Sequence, residues 1–442
     1  MPMFKKILAL ALALMMILGC VAVLASCGKK TDTPDNTVPD PDPVPLAELK
    51  TALITLHGDQ STYDKNFIDA FKTACANKGL TTEQYSIVTD IPEGDQCYDK
   101  AAEFADDGYQ LVFADSFGHE PYMLKAAKEF KSVQFCHATG TQAHTAGVAN
   151  FHDAFASIYE GRYLAGVAAG LKLLEMYDTD NDGAITDDEA KIGYVGAWPY
   201  AEVISGYTSF FLGVKSVVSN ATMQVRYTSS WYDEKAEKQT ALALIDDGCK
   251  LISQHADSMG APTACEERSI PNVSYNGATG TNTFVIASKI NWVPYFEYAI
   301  DCVINGKKIS ADYTGTIGTD SVQITALGTA AAEGTQAKLD EVKAQLVSGA
   351  LKVFDCSKFT VKNAKADTSA FSKASFITMD EEGHLTAYLA DVDDDGTYTG
   401  ETNVIKTEGG ITYFAESDGR SAPYFDIIID GISIGAAVVV EE

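Results

Sequence analysis

The chain has 442 residues, of which 46% are hydrophobic and 21% charged, so it has the composition of a globular protein and the length for two α/β lobes. Its 33 Lys and Arg stand against 61 Asp and Glu, which gives a net charge of −28. A chain this acidic repels phosphate, which argues against a nucleic-acid groove or an anionic membrane surface. No stretch after the first thirty residues reaches the roughly 18 apolar residues of a transmembrane helix.

The first 27 residues are predicted to be a lipoprotein signal peptide. Lys5 and Lys6 form a positively charged start, and Ile7–Leu18 is an apolar stretch of signal-peptide length. The segment Leu24–Cys27 resembles the lipobox of bacterial lipoproteins, in which the cysteine thiol receives the lipid. We therefore expect lipidation at Cys27, with an ordinary secretory signal and an uninvolved cysteine as the alternative.

Residues 28–46 form the predicted flexible tether. They are rich in Pro, Asp and Thr and almost free of apolar side chains, so they cannot build a core. An extracytoplasmic domain, anchored by lipid to the bacterial cell membrane, should follow. Seven cysteines lie beyond Cys27, an odd number without a Cys-x-x-Cys pair, which predicts isolated buried thiols and not disulfides or a zinc cluster.

From residue 47 onward, short apolar strands alternate with helical segments. The helical spacing is clearest at Phe67, Ala70, Phe71 and Ala74. The strand-like runs are Ala52–Leu56, Gln110–Phe113, Ser132–Cys136, Lys191–Val195, Met223–Tyr227, Leu251–Ser253 and Asn272–Tyr275. This alternation predicts parallel sheets covered by helices on both faces, with ligand-binding loops at the carboxyl ends of the strands.

The pattern changes after Phe354. Short strands and turns, such as Gly383–Tyr388 and Tyr424–Ile429, now follow one another. We expect a β-rich extension over residues 356–442 that packs on the second lobe.

Five segments carry recognisable motifs in a fixed order. They are Tyr63–Phe67, Glu160–Ala169, Ser230–Ala236, Gln254–Ser258 and Ser288–Lys289. Together they resemble the basic membrane protein family, the nucleoside-binding lipoproteins of ATP-driven importers, over about residues 50–355. The resemblance implies the α/β fold of type I periplasmic-binding proteins, in which two Rossmann-like lobes joined by crossover strands close on a ligand. Lobe 1 would comprise residues 47–155 and 283–325, and lobe 2 residues 156–282 and 326–355.

The resemblance also implies a function. Family members are substrate-binding proteins that clamp a purine nucleoside or nucleobase between aromatic rings and deliver it to an ABC permease and its ATPase. A sensor or receptor module with the same cleft and a binding protein for a sugar-like ligand are the alternatives. An enzyme is not supported, because the sequence has no HExxH, GxSxG or P-loop motif. His137 and His144, seven residues apart, leave a zinc site open.

Four positions are the main ligand candidates. Phe67 would stack on the base, or else be a core residue of an amphipathic helix. Asp64 would accept hydrogen bonds from the base or sugar, or cap the helix that follows it. Trp231 would stack from the second lobe, or cover its core. Asp257 comes directly after a buried strand, where an unpaired carboxylate is costly, and would face the ligand or cap the next helix.

Five further residues complete the predicted site. Asp115 and Ser116 follow an apolar strand in a loop that should line the cleft. Lys289 matches a family lysine and would donate to ribose hydroxyls. Trp292 is a second candidate for stacking, with a core position as the alternative. Asn276 would contribute backbone contacts to the ligand, or form a plain turn.

Residues 178–189 fit a twelve-residue calcium-binding loop, Asp-Thr-Asp-Asn-Asp-Gly-Ala-Ile-Thr-Asp-Asp-Glu. The predicted ligands are Asp178, Asp180, Asp182, the carbonyl of Ala184 and Glu189. An acidic, solvent-exposed hairpin is the alternative. Because a strand follows at Lys191 instead of a second helix, we expect bound Ca²⁺ to be structural and not a switch. The segment Asp391–Gly396 repeats only the start of the pattern and is the weaker candidate.

Overall fold

The computed structural model describes residues 41–362, 376–390 and 402–438. Its helices are α1 (Thr62–Asn77), α2 (Asp95–Asp106), α3 (Glu120–Glu129), α4 (Ile158–Tyr177), α5 (Ala201–Lys215), α6 (Glu234–Asp246), α7 (Gly260–Arg268), α8 (Val293–Ile304) and α9 (Thr335–Ser348). Its strands are β1 (Thr51–Ile54), β2 (Tyr85–Val88), β3 (Leu111–Ala114), β4 (Gln134–Ala138), β5 (Phe151–Ala156), β6 (Lys191–Gly196), β7 (Thr222–Tyr227), β8 (Ile252–Gln254), β9 (Asn272–Tyr275), β10 (Phe284–Ile290), β11 (Asp312–Gly315), β12 (Val322–Ile324), β13 (Phe376–Met379), β14 (Leu385–Ala390), β15 (Thr402–Asn403), β16 (Ile405–Glu408), β17 (Ile411–Phe414) and β18 (Ile432–Ile434). The predicted pair of helix-covered parallel sheets is confirmed.

The first sheet has the strand order β11-β5-β4-β3-β1-β2, and all of its pairs are parallel. On one face, Phe71 of α1 and Phe296 of α8 pack against Phe113 of β3, with ring centroids 5.9 and 4.8 Å away. On the other face, α2 and α3 contribute Phe104 and Met123 to a second buried cluster. Burial on both faces explains why these strands read as unbroken apolar runs.

The second sheet has the strand order β12-β10-β9-β8-β6-β7-β18. Strand β12 runs antiparallel to β10, and the other pairs are parallel. Apolar residues of α6 and α7, among them Leu244, Ala261 and Cys265, pack with Val195 and Ile252 of the sheet.

Within residues 41–362 the chain crosses between the lobes three times, after β5, after β10 and after β11. The sequence placed residues 283–325 in lobe 1, but β10 and β12 pair in the second sheet. Of that stretch, β11 pairs in the first sheet and α8 packs on α1. Strand β10 belongs to lobe 2 because it pairs with β9 and β12, and α4 lies close against it: a Cβ at Gly161 would be 3.2 Å from the Ser288 Cβ.

Helices α4 and α5 touch through their backbones at two glycines. A Cβ at Gly166 would fall on the carbonyl oxygen of Phe210, and one at Gly213 would fall on the carbonyl oxygen of Tyr163, far inside van der Waals contact. Only glycine permits such an approach, so the two helices form one tightly packed unit on the second sheet. Although α4 is 20 residues long, no helix in the described part of the chain is long and apolar enough to cross a membrane.

Neither Asp64 nor Asp257 caps a helix. The Ser61 side chain caps α1 by accepting from the Asp64 N–H at 3.2 Å. Helix α7 follows Met259 without a side-chain cap, and Ser258 Oγ accepts from the Gly260 N–H at 3.0 Å. The alternatives that made Asp64 and Asp257 capping residues are therefore wrong. Both carboxylates are left for contacts elsewhere.

The C-terminal part consists of small sheets. Strands β13, β14 and β15 form one antiparallel sheet, β16 and β17 form a hairpin, and β18 joins the second sheet beside β7. The expected strand Tyr424–Ile429 is not a regular strand, since its side chains and not a backbone ladder hold it: Phe425 stacks on Phe354 with centroids 4.6 Å apart. The candidate calcium segment Asp391–Gly396 lies outside the described residues.

The cysteines behave as small core side chains. Those in the described part of the chain are buried and free: Cys75, Cys97, Cys136, Cys249, Cys265, Cys302 and Cys356. The prediction of isolated buried thiols is confirmed. Burial also raises the pKa of the thiols, for example of Cys249 to about 11, so they stay protonated and unreactive.

Candidate ligand-binding cleft

A cleft between the lobes collects the carboxyl ends of both parallel sheets. Loops after β1, β3 and β4 line it from lobe 1, and loops after β6, β7 and β8 line it from lobe 2. Its outer part is a cavity of about 1030 Å³ whose aromatic side chains are Phe117, Trp198, Tyr200, Trp231 and Tyr232. Trp198 and Tyr200 stack with centroids 5.8 Å apart. Flat apolar surfaces of this kind suit the rings of a small ligand.

An inner pocket lies next to the outer cavity and shares four residues with it. Its lining residues are Leu56, His57, Tyr63, Asp64, Ser116, Phe117, Thr139, Glu202, Trp231, His255, Asp257 and Tyr275. The structure thus brings four predicted site residues together: Asp64, Ser116, Trp231 and Asp257. The free space in this pocket is about 20 Å³, room for a single water molecule, so a ligand enters only when the lobes part.

Direct contacts between the lobes close the inner pocket. The N–H and hydroxyl of Thr62 both donate to the carbonyl of Asp257, at 3.0 and 3.1 Å. The ring pairs that meet across the cleft are His57 with Tyr232 and Phe117 with Tyr200, each with centroids 5.5 Å apart. The structure therefore represents the closed form of a hinged pair of lobes.

Asp64 is the ionised carboxylate of the inner pocket. Only 2% of it is exposed, its Oδ1 accepts from the His57 N–H at 2.7 Å, and its Oδ2 lies 3.5 Å from His57 Nδ1. Burial alone would raise the pKa of Asp64, but hydrogen bonds from His57 and Ser61 bring that pKa below its usual value. A negative charge therefore faces the pocket at neutral pH.

The environment acts in the opposite direction on the pKa values of Asp257 and Asp115. Burial, and then the charge of Asp64, raises the pKa of both carboxyls well above the usual range. Asp257 lines the pocket, and its buried Oδ1 has no hydrogen-bond partner. Asp115 is fully buried and lines neither part of the cleft; its Oδ1 accepts from the Leu56 N–H at 3.2 Å. The pocket thus places a buried carboxyl oxygen of Asp257 that has no partner near the ionised carboxylate of Asp64.

A buried chain of polar groups supports the lobe 2 side of the pocket. Arg162 of α4 is 1% exposed, stacks over the Tyr275 ring at 3.6 Å and donates to His255 Nδ1 at 3.1 Å. His255 Nε2 in turn lies 3.4 Å from Glu202 Oε1. Burial, and then the charge of Arg162, lowers the pKa of His255 to about 4, so the ring is neutral and its Nε2–H donates to Glu202.

Four other predicted residues do not line the cleft. Phe67 and Trp292 are each 2% exposed and stack on one another in the core with centroids 4.4 Å apart, where α1 meets the start of α8. Lys289 lies on β10, opposite Gln323 of β12. Asn276 is buried after β9 at a φ of 59°, and its side-chain oxygen and nitrogen have no partner. In this closed form, Phe67 and Trp292 therefore occupy core positions, which were the alternatives to stacking on a ligand.

Several residues that line or support the pocket were not singled out from the sequence. Arg162 and His255 lie within the family-like motifs. Arg162 could have been noticed, because it stands alone in a run of small and apolar residues and a buried guanidinium needs partners. Glu202 and Tyr275 carry no comparable signal. They reach the pocket only through the arrangement of α5 and β9 in the second lobe.

The loop at residues 178–189 connects α4 to β6 at the surface. Side-chain oxygens of Asp178, Asp180 and Asp182 lie within 4.8 Å of one another. Gly183 has a φ of 82°, and the Ala184 N–H donates to an aspartate oxygen of the loop at 2.8 Å. Glu189 instead accepts from the Thr186 N–H and hydroxyl at 2.9 and 2.7 Å. Three of the five predicted calcium ligands therefore converge, while Glu189 is turned toward Thr186.

Comparison with known proteins identifies relatives over most of the folded part. The model of the Bmp family, described as "ABC transporter substrate-binding protein PnrA-like", matches residues 59–353. A purine-binding protein of Brucella abortus (strain 2308) is 29% identical over 315 residues, which cover 70% of this chain and 83% of that protein. A candidate ABC transporter glucose-binding protein of Haloferax volcanii is 26% identical over 286 residues, 64% of this chain and 68% of that one.

Solved structures show the same architecture. An ABC transporter solute-binding protein from Conexibacter woesei superposes with a TM-score of 0.56 at 20% identity, covering 69% of this chain and 98% of that one. At this identity the similarity bears on the fold alone. The fold is that of type I periplasmic-binding proteins, as the sequence predicted.

Proposed function

The chain belongs to the Bmp family of PnrA-like ABC transporter substrate-binding proteins, and from that membership we propose that it captures a purine nucleoside or nucleobase in its interlobe cleft. Proteins of this family are not enzymes; they act outside the cytoplasm and deliver a small molecule to a permease. The proposal includes a lipid on Cys27, a residue outside the described part of the chain, as the anchor to the cell membrane.

The observation that carries the proposal is the composition of the inner pocket. It combines an aromatic side chain, Trp231, with the carboxyl groups of Asp64, Asp257 and Glu202. Aromatic rings bind the apolar faces of a purine, and carboxylate oxygens accept hydrogen bonds from its N–H groups or from ribose hydroxyls. The purine-binding relative from Brucella abortus supports the same ligand class.

The charge of the pocket argues for a ligand without phosphate. Asp64 is ionised at neutral pH, and the guanidinium of Arg162 is covered by the Tyr275 ring and engaged with His255. A nucleotide would bring negative charge against this buried carboxylate, which is strongly unfavourable. We therefore expect the free nucleoside or base to bind and the corresponding monophosphate to be rejected.

A thermal-unfolding screen of the purified protein tests the proposal. Purine nucleosides, purine bases, their 5′-monophosphates, monosaccharides and amino acids are compared at the same concentration. Ligand binding stabilises the folded protein by RT ln(1 + [L]/Kd), about 2.7 kcal/mol at 100 times Kd, which corresponds to a rise in Tm of several degrees. We expect this rise for a nucleoside or base and not for its monophosphate.

The other outcomes of the screen contradict the proposal in different ways. A rise in Tm with glucose or another monosaccharide, and with no purine, would assign the cleft to a sugar, as the name of the Haloferax relative suggests for that protein. A rise with the monophosphate equal to that with the nucleoside would show that Asp64 does not face the ligand as an ionised group.

We also propose that the loop at residues 178–189 binds Ca²⁺ as a structural ion. The convergence of Asp178, Asp180 and Asp182 supports this, since Ca²⁺ prefers several oxygen ligands. We expect millimolar Ca²⁺ to raise Tm, and Asp182→Ala, which removes an oxygen ligand, to remove most of that rise. Asp188→Ala, which changes position 11 of the loop, is the matched control and should leave the rise intact. An equal response to Ca²⁺ in both variants would place the ion elsewhere.

A further inference from the structure

A buried cluster of three side chains lies beside the cleft and takes no part in the proposed capture of the ligand. Glu120 opens α3, His137 lies on β4, and Asp153 is its direct pairing partner on β5. They are 3%, 0% and 0% exposed, and one ligand atom of each lies within 4.8 Å of the other two. Glu120 also lines the outer cavity, so the cluster can be reached from the cleft.

Hydrogen bonding determines which nitrogen of His137 faces the cluster. Nε2 is 2.7 Å from the carbonyl oxygen of Ser116, which can only accept, so Nε2 carries the proton. In the neutral ring Nδ1 then presents a lone pair, 3.5 Å from Asp153 Oδ1. Neither atom has a hydrogen-bond partner, although both residues are fully buried. Two lone pairs that face each other away from water are unfavourable unless a positive charge lies between them.

The other carboxylate oxygens are already held by one backbone loop. Glu120 Oε1 accepts from the N–H groups of Thr141 and Gln142 at 2.7 and 2.8 Å, and Asp153 Oδ2 accepts from those of Gln142 and Ala143 at 3.1 and 2.9 Å. Asp153 Oδ1 is thus left for a further ligand, and Glu120 Oε2 makes only long contacts, accepting from the Thr141 hydroxyl at 3.4 Å and the Gln142 side-chain amide at 3.3 Å. Within residues 41–362, 376–390 and 402–438, no hydrogen bond or ion pair joins a Lys or Arg side chain to either carboxylate.

Gly140 keeps the space in front of these atoms free of side chains. A Cβ at this position would lie 2.6 Å from His137 Nδ1 and would also collide with Asp153 Oδ1. Only glycine lets the backbone of this loop lie so close to both side chains, and this packing holds the imidazole and the carboxylate beside each other.

We propose that Glu120, His137 and Asp153 bind a divalent transition-metal ion, and that Zn²⁺ fits best. Imidazole nitrogen and carboxylate oxygen bind zinc at about 2.0–2.2 Å, so a tetrahedral ion separates its ligands by about 3.4 Å. The Nδ1 to Oδ1 distance of 3.5 Å matches this separation. The hydrogen bond from the other ring nitrogen to Ser116 is the outer contact that metal-bound histidines usually make. The ion would tie β4, β5 and the start of α3 together at the wall of the cleft.

Zinc titration of the untagged full chain tests the proposal. After treatment with a chelator and dialysis, the protein is titrated with Zn²⁺ in excess Ca²⁺, which occupies all-oxygen sites such as the loop at residues 178–189. We expect one tight site per chain. Glu120→Gln keeps an acceptor for the Thr141 and Gln142 N–H groups but replaces a charged ligand atom by an amide, and it should weaken binding at least about 100-fold.

The matched control is His152→Gln. His152 is buried one position before Asp153, and its two ring nitrogens form hydrogen bonds with the Ser310 carbonyl and the Gln134 side chain. Replacing His152 should therefore leave the zinc affinity unchanged. The proposal is overturned if the folded wild-type chain binds no zinc, or if Glu120→Gln binds zinc with equal affinity. The positive charge between His137 Nδ1 and Asp153 Oδ1 would then be a shared proton. If Glu120→Gln does not fold, X-ray absorption of zinc-loaded wild type decides: a metal shell without an imidazole excludes the site.

Discussion

Replacing Trp231 by Ala is expected to raise the Kd for the ligand by about 100-fold without unfolding the protein. Trp231 lines both the outer cavity and the inner pocket, and the Tyr200 ring meets it at 62° with centroids 5.9 Å apart. Because the indole borders both spaces, a ligand in the cleft would contact it. Loss of a stacked indole costs about 2–3 kcal/mol, and 1.4 kcal/mol is a factor of ten in Kd.

Calorimetric titration of the ligand found in the screen measures this effect. The fold should survive, because the backbone oxygen of Trp231, which accepts from the Asp257 N–H at 3.0 Å, is retained in the variant. Trp198→Ala is the matched control, since Trp198 lies in the outer cavity alone, and we expect a change in Kd of less than about threefold. Equal losses in both variants would place the ligand in the outer cavity, and an unchanged Kd in Trp231→Ala would remove Trp231 from the site.

Replacing Gly166 by Ala is expected to have the largest effect on stability. Its Cβ would overlap the carbonyl oxygen of Phe210 on α5, and a backbone atom cannot move aside as the end of a flexible side chain can. The two helices would have to separate along their crossing. Overpacking of a tight core costs about 1–3 kcal/mol, and we place this variant at the upper end, with a fall in Tm of at least about 5 °C.

Gly277→Ala is the control for this variant. No heavy atom lies within 4 Å of a Cβ at Gly277, so the same chemical change should shift Tm by less than about 2 °C. The comparison is made without ligand, so that only folding is measured. A fall in Tm for Gly166→Ala no greater than that for the control would show that α4 and α5 can separate freely.

The parts of the fold that could be predicted are those set by local pattern. Buried parallel strands such as β1 and β3 read as apolar runs, and the motif after β1 marked a loop that does line the cleft. Strand β10 could not be assigned to its lobe from its own residues, because an apolar strand fits either sheet equally well. In the structure β10 pairs with β9 and β12, and α4 packs on it where Gly161 meets Ser288, a contact between residues far apart in sequence.

In the binding site, too, the residues that could be predicted are those placed by local sequence pattern and strand order. Asp64, Trp231 and Asp257 lie in loops directly after strands or at the start of a helix, where the sheet topology alone brings them to the cleft. Phe67 is one helical turn further along α1 than Asp64, and that small rotation turns its ring from the cleft to the core, where Trp292 covers it. A motif match identifies a segment of a helix. Which face of that helix points to the ligand depends on the element that packs on the opposite face.

The pairing of β18 with β7 has a consequence for self-association. Strand β7 is six residues long, and without β18 it would form the edge of the second sheet. Long uncovered edges are templates on which neighbouring molecules add their own strands and aggregate. Ile432–Ile434 covers that edge, and the Arg226 side chain fastens the following residues by donating to the carbonyl of Ala436 at 2.6 Å. The edge then exposed is three residues long, so it offers fewer unpaired backbone groups to another chain than β7 would.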